Sequence, residues 1–208
     1  MVHRPTKPKP LIVGKLESDR RWEQGAWLFL VSLTVFFLAC MILYAVYVGM
    51  RLGQPNAAIQ PFYLPPLFIV TTVNLIAIST VLHLAVQAVR CERRGDLLRY
   101  IVIAYVLGFC FFLIQGIGLS QMMWRMQQPG RAMANLYGMT FFLVVVHAAH
   151  VVGGMAGLTF VLFGIQRGRY DHERNFPIRF CALYWHFLDI VWLLMLSGFI
   201  YAAIVSKS

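Results

Sequence analysis

The chain has 208 residues, 60% of them hydrophobic and only 12% charged, a balance that excludes an ordinary soluble domain. The 18 Lys+Arg against 8 Asp+Glu give a formal net charge of +10, but the basic residues sit in short clusters between long apolar runs. That spacing points to membrane topology and away from nucleic acid. Four cysteines (Cys40, Cys91, Cys110, Cys181) lie far apart, without CxxC or metal-ligand spacing, so no disulfide framework is expected.

Residues 1–22 read as a polar, basic, Pro-containing tail, with no apolar core and small-residue cleavage site of a signal peptide. Five apolar stretches follow, at about 23–49, 65–89, 100–124, 135–166 and 180–205, with a short end at 206–208. Each is long enough to cross a hydrocarbon core of about 30 Å, which takes about 20 helical residues. The fourth exceeds that need and is expected to tilt or to extend beyond the lipid. The runs are unbroken and do not alternate at every second residue as outer-membrane strands do, so they predict helices. The expected fold is all-α: an integral membrane bundle of five transmembrane helices in one domain, 23–205.

Charge fixes an expected orientation. The tail carries six Lys+Arg (Arg4, Lys7, Lys9, Lys15, Arg20, Arg21). The second connection carries four (Arg90, Arg93, Arg94, Arg99), as does the fourth (Arg167, Arg169, Arg174, Arg179). The other side holds Arg51, Arg125, Arg131 and Lys207. Fourteen against four place the N-terminus in the cytoplasm and the C-terminus outside. Trp22, Trp27, Tyr44, Tyr47, Tyr100, Trp124 and Tyr201 cluster near the span ends, as interfacial aromatics do.

Candidates for chemistry are few. Asp189 is the one acid inside an apolar run, with His186 three residues before it on the same helical face. An intramembrane carboxylate demands a partner, and the pair reads either as a polar tie between helices or as a proton-handling site. His147 and His150 repeat that spacing in the fourth run, and His83 lies in the second. Haem or metal ligation by these histidines is the alternative to hydrogen-bonded core histidines. Asp189, which could support such a site, is expected to lie nearer the cytoplasmic face than His150. Ala149, Gly153 and Gly157 recur every four residues, a spacing that lets helices approach closely. There is no P-loop, no GxGxxG and no nucleophile with its base.

The run Tyr184-Trp185-His186-Phe187-Leu188-Asp189-Ile190-Val191-Trp192 resembles the YWHF-[VL]-D-[VI]-VW signature in the last helix of subunit III of the haem–copper oxidases, the cytochrome c oxidase subunit III family. His147-Ala148-Ala149-His150-Val151-Val152-Gly153-Gly154 is similar to that family's HGLHV-x-x-G, and Gln24 to Ser32 (QGAWLFLVS) resembles, more loosely, its first retained helix. The count of five spans fits the short bacterial form. The resemblance implies a non-catalytic subunit of an aerobic respiratory oxidase in a bacterial inner membrane. Its direct partner would be subunit I, with subunit II and other complex subunits beyond. No cofactor, catalytic residue or metal ligand is implied in this chain, because haem and copper belong to partner subunits. Bound phospholipid is implied between the first two helices and the remaining three, with Arg167 and Arg169 near its headgroups. His147, His150, His186 and Asp189 would be internal polar ties. Two departures stand out: Leu33 follows Ser32 where the family carries a carboxylate, and the third run reads GIGLSQMM where many members carry a glutamate. These departures also fit a subunit-III-like accessory protein of a nitric oxide reductase, and a quinol oxidase is a third possible partner. A reading from another class is an independent membrane haem protein using His83, His147, His150 and His186.

Overall fold

The computed structural model describes residues 13–52, 65–91, 93–127, 134–167 and 176–205. They form five α-helices and, among the described residues, no strand: α1 (Val13–Leu52), α2 (Leu67–Arg90), α3 (Arg94–Met126), α4 (Ala134–Gln166) and α5 (Phe176–Val205). Each contains a stretch long and apolar enough to cross a membrane: Glu23–Met50, Leu67–Arg90, Gly95–Trp124, Leu136–Gln166 and Phe176–Val205.

Helix and span do not end together. α1 starts at Val13, inside the expected tail, because after Pro10 no proline interrupts a helix-compatible run. α3 starts at Arg94 and α5 at Phe176, each several residues ahead of the predicted span. Pro177 is tolerated there because the first turn has no intrahelical use for its missing N–H. The Pro65–Pro66 pair opens α2: its carbonyls accept the amides of Phe68 and Ile69, each at 3.1 Å. At the other end the Cys91 amide donates to Gln87 (3.1 Å), Arg93 to Ala88 (3.0 Å) and Leu97 to Arg93 (3.0 Å). Backbone bonding thus runs through the corner, and α2 and α3 form a tight antiparallel hairpin.

The chain divides into residues 1–36 and 37–208. In the first unit the Thr34 hydroxyl donates back to the Leu30 carbonyl at 2.8 Å, so this polar group is satisfied within its own helix. In the second, α2 packs on α3 and α5, α3 on α4, and α4 on α5, closing a ring of four helices. Phe37 and Tyr44 of α1 reach α4 and α5 through their rings. Phe37 meets the His150 ring edge-on at 5.0 Å, Tyr44 meets Phe199 at 5.4 Å, and the Thr140 hydroxyl lies 3.3 Å from that of Tyr44. Phe68, Phe111, Trp185, Trp192 and Phe199 fill the interior. Because α2 lies directly on α3 and α5, the division expected between the first two helices and the remaining three does not run between α2 and its neighbours.

Candidate functional site: intramembrane polar groups

α2 and α5 share the larger polar set. The Ser79 hydroxyl is hydrogen-bonded to His186 Nδ1 and also neighbours the Asp189 carboxyl. His186 faces His83 across the helix pair, with ring centroids 6.4 Å apart. His83 in turn shares a 3.1 Å contact with the Gln87 amide. A little further along, the Trp192 indole N–H donates to the Thr72 hydroxyl at 2.8 Å, while its ring packs edge-on against Phe68 at 5.6 Å. Hydroxyls that can donate and accept sit opposite the imidazole, carboxyl and indole, so polar groups on α5 find partners on α2. Asp189 Oδ1 is buried and has no hydrogen-bond partner among the described residues.

α4 carries the second set. His147 is fully buried, with its ring 5.2 Å from Trp192, 6.3 Å from Phe37 and 6.4 Å from Phe111. His150 is half-buried, its Nδ1 lies 2.8 Å from the Val146 carbonyl, and its own carbonyl accepts the Tyr184 hydroxyl at 2.8 Å. The four histidines are therefore not brought to one place: His83 and His186 line the α2–α5 seam, whereas His147 lies in an aromatic box. Among the described residues no three His, Cys, Asp or Glu side chains gather into a group that could hold a metal ion.

The α4–α5 seam is built on small residues. A Cβ at Gly154 would lie 3.0 Å from the Trp185 ring, one at Gly153 3.3 Å from the Tyr184 hydroxyl, and one at Gly157 3.6 Å from Cys181 Sγ. Gly154, one residue off the expected stripe, makes the closest approach, and Ala149 is exposed. These contacts also set register. They level Asp189 with the His150 turn, so the expectation that Asp189 lies nearer the cytoplasmic face is corrected. The two antiparallel helices meet near their middles, and depth counted from the ends of an overlong α4 was misleading. Arg167 is exposed just past the end of α4, its amide donating to Phe163 at 3.1 Å; Arg169 lies outside the described residues.

Sequence reasoning passed over Thr72, Ser79, Gln115 and the Tyr184 hydroxyl. The available signal was plain for Gln115, a lone amide deep in an apolar run. Hydroxyls are harder to read, since most in membrane helices bond back to their own helix, as Thr80 does to Ile76 and Thr159 to Met155.

Five long apolar helices tied by intramembrane hydrogen bonds define a multi-pass helical membrane protein. Residues 18–204 match the family model described as cytochrome c oxidase subunit III, and the chain belongs to that family. Membership fits the subunit III role of a haem–copper oxidase. The chain is 26% identical over 170 residues to the cytochrome bo(3) ubiquinol oxidase subunit 3 of Pseudomonas aeruginosa, covering 81% of this chain and 79% of that one. It is 27% identical over 182 residues to the cytochrome c oxidase subunit 3 of Gadus morhua, covering 82% and 66% respectively. For the Aedes aegypti subunit the identity is 26% over 181 residues, covering 84% and 66%. The chain thus spans just under two thirds of the fish and mosquito subunits.

Proposed function

We propose that the chain is the non-catalytic third subunit of a haem–copper terminal oxidase, seated against the catalytic subunit I in a bacterial inner membrane with its N-terminus in the cytoplasm. The observation that carries this reading is the family match over residues 18–204, nearly the whole described chain. Redox chemistry belongs to the partner: haem and copper sit there, and this chain supplies packing surface. His186 and Asp189 serve as polar ties on the α2–α5 seam, while His147 and His150 pack α4 through their rings against Trp192 and Phe37, with Gly153 and Gly157 giving α4 its approach to α5. The outward faces of the helices, rich in exposed side chains such as Ile69, Val73, Phe109 and Ile190, suit lipid and partner helices. Phospholipid headgroups near the α4 end are met by Arg167, with Arg169 as a further candidate, at about 1 kcal/mol per basic residue.

The test is recovery of the complex. The tagged chain, extracted in mild detergent, is expected to bring down a larger subunit whose haem gives the optical spectrum. The reading is wrong if the chain purifies alone and keeps a Soret band, which is the outcome of a haem protein in its own right. Two partner assignments are separated by turnover. The Pseudomonas match favours a quinol oxidase, which consumes O₂ with ubiquinol as donor, and the absence of a carboxylate at Leu33 favours a nitric oxide reductase, which consumes NO.

A further inference from the structure

Two side chains in the middle of the helix ring have more hydrogen-bonding capacity than the protein around them uses. His147 on α4 and Gln115 on α3 are fully buried. Neither ring nitrogen of His147, nor the amide nitrogen or oxygen of Gln115, has a hydrogen-bond partner among the described residues. Their placement is shared. Gly138 lies against Met126 near one end of the α3–α4 seam and Gly108 against Met155 nearer the other, a register that sets Gln115 at the level of His147 to within about one turn. Phe111, one turn from Gln115 on the same face of α3, brings its ring to 6.4 Å from that of His147.

The rings packed on His147 cannot answer its nitrogens. The rings around His147 are those of Phe37, Phe111 and Trp192. The phenylalanines have no polar atom, and the Trp192 indole N–H is already given to Thr72. A neutral imidazole has one donor and one acceptor on opposite sides of its ring, while the glutamine amide has two donors and a carbonyl. One direct His147–Gln115 bond would leave the far imidazole nitrogen unpaired, and so would a single water between the two side chains, so pairing both nitrogens takes a further water on the other side of the ring. A charged occupant is disfavoured, because the rings of Phe37, Phe111 and Trp192 that pack on His147 carry no charge to offset it. Buried polar groups in folded proteins are paired, by ordered water where the protein itself gives no partner.

We propose that the space between Gln115 and His147 is a binding site for internal water, with at least one molecule bridging the imidazole to the amide. This water ties α3 to α4 beneath Trp192 and keeps the amide and imidazole oriented inside an aromatic shell. Both side chains belong to this chain and are buried within it, whichever oxidase the subunit joins.

Two measurements on the full chain in its native complex test it. A cryo-EM map that resolves water is expected to show density within the ordinary hydrogen-bond range, about 2.7–3.2 Å, of both a His147 nitrogen and the Gln115 amide. A map with the amide directly on the imidazole, or with both groups turned to helix carbonyls and no third species, overturns it. Radiolytic hydroxyl-radical footprinting marks side chains beside bound water. Trp192 oxidation is expected to fall several-fold in the Gln115→Leu, His147→Leu double variant, while exposed Trp124 stays unchanged. Equal Trp192 oxidation in the folded variant and the parent also overturns it. Should the double variant fail to assemble, the map of the unaltered chain still decides the question.

Discussion

At Asp189 a carboxyl group lies among apolar helices and is answered from α2 by Ser79, which also holds His186. Replacing Asp189 by Asn keeps the hydrogen-bonding shape and removes the charge, so turnover and subunit retention are both expected to survive. Asp189→Leu leaves Ser79 without that partner and should weaken the α2–α5 seam by about 1 kcal/mol, a typical value for a hydrogen bond between membrane helices. Oxidase turnover measured beside subunit retention checks both. Loss of turnover in Asp189→Asn with the subunit fully bound would instead make Asp189 a proton-transfer group. The Trp192–Thr72 bond allows a cleaner measurement. Trp192→Phe and Thr72→Val should each destabilise by about 1 kcal/mol, and the double variant should cost less than the two together, because the second change removes a group already unpaired. Thermal unfolding of all three variants reads the coupling, and strict additivity would refute the bond.

For the helices as elements, the α4–α5 seam turns on Gly154. A methyl group there meets the buried Trp185 ring at 3.0 Å, so Gly154→Ala is expected to destabilise by about 1–3 kcal/mol through overpacking. Gly116, exposed on α3 with nothing within 4 Å of its absent Cβ, provides the contrast. Gly116→Ala should be neutral, or stabilise by about 0.5–1 kcal/mol, as expected for glycine replaced in an open helix interior. Unfolding midpoints of the two variants check the pair, and equal losses would refute the packing argument. The same seam shows what the sequence does and does not carry. Small residues recurring every four positions were legible as Ala149, Gly153 and Gly157. Which of the neighbouring glycines faces Trp185 depends on the rotation of α4 about its axis, and a helix apolar on all sides leaves that rotation unmarked. Asp189 and His186 were legible because a polar group in an apolar run stands out, whereas Ser79 and Thr72 look like ordinary helix hydroxyls until α5 is set beside them.

Across the whole molecule, five spans could be read directly, since only unbroken apolar runs of such length satisfy the backbone in lipid. Helix ends could not, because α1, α3 and α5 continue into polar sequence where hydropathy falls but helix formation does not stop. The pairing order of the ring was equally invisible, being fixed by contacts between residues far apart in the chain. Orientation remains the prediction of the fourteen-to-four charge asymmetry. A reporter fused at Ser208 should be active only outside the cytoplasm and one near Arg93 only inside, and cytoplasmic activity at Ser208 would reverse the topology. The ring has a further consequence for biogenesis. α2 and α5 meet through residues such as Thr72 and Trp192, 120 positions apart. During synthesis α2 therefore enters the membrane long before α5 leaves the ribosome, carrying Thr72 and Ser79 without the side chains that will cover them. Until α5 arrives, the nascent chain is an open arc with a polar edge, a feature by which membrane chaperones and proteases could distinguish an unfinished subunit from a closed one.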